Sequence, residues 1–158
     1  MESAWTMPVR QRSGPTTFAP MAKARITIGR LEHIALPGLG AERVQAKVDT
    51  GAFRSALHYQ KVRTRTVDGN KQLVVTFLMA RKRVTMVFKR FQRVSVKSSN
   101  GETSRRWLIS TRVKRNGHTG RTQFTLFDRS DMKHQVLLGR KFLRGRFVVD
   151  VALKNVLG

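Results

Sequence analysis

The sequence predicts an all-β domain, a small barrel or sandwich, and three observations carry that expectation. Short β-type segments follow one another at spacings of about ten residues. Turn signals stand between them, Asp68-Gly69-Asn70 and Asn116-Gly117 above all. A single stretch, Gly139 to Gly145, reads as a short helix near the C-terminus. At 158 residues the chain is long enough for one domain with a core of its own. Residues 25–158 are expected to form it, behind a flexible basic leader of residues 1–24 that mixes Pro, Gly, Ser and Thr without periodicity.

In chain order, RITIG (25–29), HIAL (33–36) and RVQAKVD (43–49) read as strands, the last running into a Thr-Gly turn. KVRTRTV places Val62, Thr64 and Thr66 on one face and Arg63 and Arg65 on the other, and Asp68-Gly69-Asn70 turns the chain into QLVVTFLM, so a hairpin is expected. VTMVF and RVSVK lead to a second turn, Ser98-Ser99-Asn100-Gly101. After it SRRWLISTRV sets Arg105, Trp107, Ile109, Thr111 and Val113 against Arg106, Leu108, Ser110 and Arg112. Asn116-Gly117 precedes TQFTLF, VLLG precedes the short helix, and RFVVDV closes the chain as a last strand. No repeat at solenoid periods is present.

Charge narrows the class of partner. Lys and Arg number 32 against 9 Asp and Glu, a net charge of +23. That excess implies an anionic partner: nucleic acid, the ribosome, an anionic surface or an acidic polypeptide. With no cysteine, disulfides, thiolate zinc sites and thiol catalysis are excluded, which fits a reducing cytoplasm. No signal-peptide core and no apolar run long enough for a bilayer is present, so the expectation is a cytoplasmic protein without membrane association. His33, His58, His118 and His134 are spread singly, without metal-ligand spacing. A Gly-x-Ser-x-Gly elbow and a phosphate-binding Gly-rich loop are also missing. Phe91, Trp107, Phe124 and Phe127 lie among basic residues but inside alternating strands, and are expected in the core rather than as a stacking surface for RNA.

KVDTGA (47–52) stands out, because a chain with few acids keeps one in a tight turn. Lys47 and Asp49 share a strand face, while Ala46 and Val48 point the other way. Thr50 can hydrogen-bond locally, and Gly51 allows the backbone to approach the carboxylate and donate its N–H. Downstream stands VLLGR, residues 136–140, a hydrophobic pair followed by Gly.

These residues resemble the retropepsin-like aspartic peptidases, in which an Asp-Thr-Gly-Ala loop is cradled by a hydrophobic-hydrophobic-Gly strand. More narrowly, the sequence is similar to the RimB-like branch, associated with the ribosomal-protein glutamate ligase RimK. IGRLEHIALPGLG, KVDTGAFRSALH, VKSSNGETSRRWLIST and FDRSDMKHQVLLGRKFLRGRFVVDV carry the match, over roughly residues 26–152. The branch's older label, "ATP-dependent zinc protease", finds neither zinc ligands nor a phosphate loop here. No metal or cofactor is therefore expected. Phe53-Arg54 departs from the family pattern, where a small polar residue usually precedes Ser-Ala-Leu.

The resemblance implies a small closed β-barrel of the pepsin-like acid-protease type. It also implies a mechanism in which two carboxylates activate water, one accepting a proton and one donating. A homodimer would supply Asp49 from each subunit. Two carboxylates about 4 Å apart repel by roughly 4 kcal/mol at an effective dielectric near 20, so they would share one proton. Thr50 would tie the two loops together, Gly51 would bond its own Asp49, and Ala52, Leu137, Leu138 and Gly139 would support the loop. Ser98, Ser99, Asn100 and Gly101 would form a flap. The implied substrate is the oligoglutamate tail that RimK adds to a ribosomal protein, with possible ribosome or ligase association. Lys47, Arg54, Lys97, Arg105, Arg106 and Arg140 are the candidate cations for such a tail. In retropepsins the Arg after the wall glycine pairs with an Asp close behind the Asp-Thr-Gly-Ala. Phe53 and Arg54 occupy that region here, so Arg140 is expected to find another carboxylate or to face the ligand. The competing reading is a non-catalytic basic module that binds RNA or the ribosome, with Asp49 only a turn residue.

Overall fold

The computed structural model describes residues 23–128 and 133–158. Most of the expected leader, and Asp131 with its neighbours, lie outside the described residues.

Twelve strands and one helical turn make up the described chain. The strands are β1 (Ile26–Ile28), β2 (Leu31–Leu36), β3 (Ala41–Val48), β4 (Ser55–His58), β5 (Lys61–Val67), β6 (Asn70–Met79), β7 (Lys82–Phe88), β8 (Gln92–Lys97), β9 (Thr103–Arg115), β10 (His118–Phe127), β11 (Val136–Leu138) and β12 (Phe147–Val149). The helix is α1 (Arg140–Leu143), and a short 3-10 turn spans Pro37–Leu39. The fold is all-β, with its lone α-helix near the C-terminus as expected. Strand order in the main sheet is β10-β4-β11-β3-β2-β9-β8, and β10 pairs back onto β9. That second pairing closes the sheet into a barrel and leaves β8 outside the ring.

Alternation decides what the barrel holds. Along β2, Ile34 and Leu36 are buried; along β3, Val44, Ala46 and Val48 point inward while Lys47 points out. Phe124 and Leu126 of β10, Ile109 and Val113 of β9, and Val136 and Leu138 of β11 complete the interior. The Asp68-Gly69 and Asn116-Gly117 turns both have positive φ, at 49° and 77° and at 42° and 77°. Mirror-type turns of this kind fit the twist of the strands they join.

Glu32 is in phase with Ile34 and Leu36, and it is fully buried. Its carboxylate accepts three backbone N–H groups: Gly29 N at 2.8 Å and Val156 N at 3.2 Å on Oε1, and Leu157 N at 3.0 Å on Oε2. These bonds fasten the last residues of the chain to β2, beside β12, which pairs in parallel with β1. Glu32→Ala would strand three donors, and each stranded donor costs about 1–3 kcal/mol. The expected result is a large fall in the denaturant midpoint; an unchanged midpoint would refute this role.

A separate three-stranded sheet, β5-β6-β7, lies between β4 and β8 in the chain. Leu73, Val75, Phe77 and Met79 of β6 are buried on one face, where Val62, Met86 and Phe88 join them against the core. The expected β5–β6 hairpin is present in the register Val67↔Asn70 to Lys61↔Thr76.

Candidate active site

The loop that carries Asp49 follows β3 directly and is fixed by residues 138–141 over almost its whole length. Strand β11 pairs in parallel with β3, setting Leu137 beside Lys47 and Leu138 beside Val48. The ladder then continues past the strand, where Asp49 N donates to Leu138 O at 2.9 Å. Ala52 N donates to Asp49 O at 3.3 Å and closes the turn. Gly51 N donates to Asp49 Oδ1 at 3.0 Å, so the backbone turns back toward its own carboxylate. Asp49 is half-buried, while Thr50 and Gly51 are exposed.

Four consecutive carbonyls of the loop are taken by two residues of α1. Arg140 Nη1 donates to Thr50 O at 3.1 Å and Gly51 O at 2.8 Å, Arg140 N to Ala52 O at 2.8 Å, and Lys141 N to Phe53 O at 2.9 Å. The backbone donors are N–H groups of a first helical turn, which have no partner inside the helix. Arg140 thus holds the loop through Nη1, and it also lines the cleft beside Thr50 and Phe53, so the expectation that it faces the ligand stands as a proposal. The tight turn aims two carbonyls at α1, and one guanidinium nitrogen, Nη1, donates to both. Arg140→Ala is expected to lower the rate of the reaction proposed below more than it raises KM, because the loop loses its clamp. A pure KM effect would return Arg140 to substrate binding.

Gly139 stands where only a glycine fits. A Cβ there would lie 2.5 Å from Arg54 O and 2.9 Å from Ala52 O. Gly139 N donates to Ser55 Oγ at 3.1 Å, a buried contact that ties β4 to the wall behind the loop. Ser55 and the strand it opens are absent from the sequence reading. Ser-Ala-Leu-His is buried at three successive positions and so lacks the alternation that marks a strand.

The other candidate cations are not gathered at one point. Lys47 is exposed on the side of β3 that continues into Asp49. It lies near His134, whose imidazole is held below its usual value by burial first, then by Lys133 and Lys47. Arg54 sits 5.7 Å from the ring of Phe53, which Arg140 approaches at 5.9 Å from another side. On the β8–β9 hairpin, Lys97 pairs with Thr103, Ser95 with Arg105 and Val94 with Arg106. Lys97 and Arg105 therefore share one face of the ribbon and Arg106 the other, so at most one of the two groups faces any given cleft.

Ser98 to Gly101 form the tip of that ribbon. Gly101 N donates to Ser98 O at 3.0 Å with φ of 87° at Gly101, and Ser98 N donates to Glu102 O at 2.8 Å. Asn100 Oδ1 accepts from Ser98 Oγ and from Glu102 N. Phe124 and Phe127 are buried, and Phe91 and Trp107 pack edge-to-face against the core. These aromatics offer no stacking surface for bases. Among the described residues no group of three or more His, Asp or Glu could hold a metal ion, and no helix is long and apolar enough to cross a membrane.

The model of the RimB-like family, described as "Retropepsin-like aspartic endopeptidase RimB", matches residues 27–157. The chain belongs to the RimB-like family. The family is described as one of aspartic endopeptidases. Among curated relatives, the RimB-like chain is 29% identical over 142 residues to a "Probable alpha-L-glutamate ligase" of Shewanella halifaxensis, covering 87% of this chain and 31% of that one. It is 31% identical over 139 residues to a protein of the same name from Desulfotalea psychrophila, covering 85% and 30%. The RimB-like chain thus spans under a third of the length of these relatives. A crystal structure of Lpg0085, a Legionella pneumophila protein of unknown function, shares the fold of this RimB-like chain. Its TM-score is 0.69 at 21% identity, over 85% of this chain and all of that one.

Proposed function

We propose that the chain is an aspartic peptidase that works as a homodimer, with Asp49 of each subunit activating one water, and that it removes glutamate tails from a ribosomal protein in the cytoplasm. The observation that carries the reading is the Asp49 loop itself. Its carboxylate is oriented by Gly51 N–H, and its backbone is locked from Asp49 to Phe53 by residues 138–141. Such preorganisation is what a water-activating carboxylate needs. With one Asp-Thr-Gly per chain, the general acid and general base must come from two copies.

The surroundings of the loop support a second copy. A cleft of about 790 Å³ opens beside Thr50 and Phe53, with Leu143, Phe147 and Val149 as apolar lining. Nearby Phe53, Val148 and Ile26 are 55%, 47% and 40% exposed. Apolar surface of this kind is what a partner subunit covers. The β8–β9 hairpin is the segment we assign as the flap that would close over an extended substrate and pair with its backbone.

The glutamate substrate is supported by the relatives' name, since they carry a matching segment within a longer chain called a glutamate ligase. Lys47, Arg54, Lys97, Arg105 and Arg106 are the proposed counter-charges for a polyanionic tail. The test is incubation with a peptide ending in several glutamates, with solution mass measured on the same sample. Expected are free glutamate and a species of twice the 18.0 kDa chain mass. A strict monomer, or no release at any pH, would end the proposal.

A further inference from the structure

The β5-β6-β7 sheet turns one face to the core, and among the described residues most of the other face is exposed, with Val87 at one end beside a cleft shared with β9 and β10. From the register, the outward face carries Lys61, Arg63 and Arg65 along β5. Gln72, Val74 and Thr76 lie along β6, with Arg83, Thr85 and Val87 along β7. Lys61, Arg63, Arg65 and Arg83 are all exposed, and Val74 is covered although it points outward. Arg63 stands directly beside Val74, and its aliphatic stem can shield it while the guanidinium stays in water. Asp68 is the only acid between residues 50 and 101, and Asp128 lies near Tyr59 at one end of the face, so cations outnumber carboxylates here.

Spacing gives the face its shape. The three β5 cations recur every second residue, about 6.8 Å apart, and β7 lies about 10 Å away across β6. A cationic rail thus runs along one edge, with Arg83 on the other and Lys89 just beyond the end of β7. Between them lies a depression of about 630 Å³ lined by Tyr59, Val74, Thr76 and Thr85. The β6–β7 turn adds to the charge, for Arg81 sits there at φ of 66° after Ala80 at 49°. Glycine or asparagine would relieve that conformation, whereas this chain holds a cation in it.

We infer that this outer face docks duplex RNA through its phosphates, as a second site separate from the Asp49 loop. An A-form duplex presents two phosphate rows beside a wide, shallow minor groove, which the β5 rail and Arg83 across β6 can meet. The one aromatic lining the depression, Tyr59, is half-buried, so the proposed binding is to the backbone and independent of sequence. An acidic peptide is the poorer fit. A single extended chain would engage the β5 rail and leave Arg83 unpaired. The inference stands whether or not the peptidase reading does.

The experiment measures fluorescence anisotropy of a labelled RNA duplex against salt concentration, with the full chain. Arg63→Gln, Arg65→Gln and Arg83→Gln combined should reduce the log–log salt slope by about 2–3 and weaken binding at least tenfold at low salt. A control set of equal charge, Arg25→Gln, Arg144→Gln and Lys154→Gln, should leave the slope within about 1 of the parent. Two duplexes of unrelated sequence should bind within about twofold of each other. Equal losses from both sets would overturn the assignment, because net charge and not this face would then be responsible. Loss of a labelled oligoglutamate peptide in place of the duplex would overturn it in favour of an acidic polypeptide.

Discussion

Asp49→Asn is expected to cut glutamate release from an acidic peptide by about 10⁴-fold, the scale on which losing one member of a catalytic unit acts. Asparagine keeps the shape and an acceptor oxygen for Gly51 N–H, which now bonds Asp49 Oδ1 at 3.0 Å. What it loses is the proton traffic: an amide neither accepts the proton of the attacking water nor holds one for the leaving group. Stability should stay within about 1 kcal/mol of the parent, since the backbone clamp from Arg140 and Lys141 is untouched. If the proposed dyad forms across two subunits, mixed dimers of one parent and one Asp49→Asn subunit should be as inactive as the double variant. Activity within tenfold of the parent in either sample would remove Asp49 from the chemistry.

Gly139→Ala is expected to damage both stability and rate. The new Cβ would meet Arg54 O at 2.5 Å, Arg54 C at 2.6 Å and Ala52 O at 2.9 Å, all backbone atoms. Those atoms cannot swing aside as a side chain could. Arg140 N holds Ala52 O and Lys141 N holds Phe53 O, so relief requires moving the segment that begins at Asp49. Overpacking of this kind costs about 1–3 kcal/mol, and a loop displaced by about 1 Å loses on the order of 10²-fold in rate. At this chain length each kcal/mol corresponds to about 2–4 °C in Tm. Thermal melts and the peptide assay measure both effects, and a variant that melts and cleaves like the parent would show that the wall is not tightly packed.

Much of this was legible in the chain because the signals are local. The alternation of Ala46, Lys47 and Val48, the Asp68-Gly69 and Asn116-Gly117 turns, and the nearness of Gly51 to its own Asp49 each depend on residues within a few positions. Less legible was the turn at Ala80-Arg81, which has positive φ at both residues without the turn chemistry that announces it. Strand β4 was missed because a strand buried on both faces has no alternation to read. Glu32 carried a signal, an acid in phase with Ile34 and Leu36, but nothing in the sequence names Gly29, Val156 and Leu157 as the donors that satisfy it.

By itself the sequence determined an all-β chain, the loop in which its acid sits, and an excess of positive charge, because propensity, turn chemistry and composition are properties of neighbouring residues. Tertiary structure alone decided that Arg140 Nη1 clamps the loop and that Ser55 braces Gly139. It also decided that the β5-β6-β7 sheet packs one face on the core and lines its outward face with cations. These depend on which distant carbonyls, hydroxyls and strands the closed barrel brings within about 3 Å of one another, and hydrogen bonds of that length are set by packing across the chain.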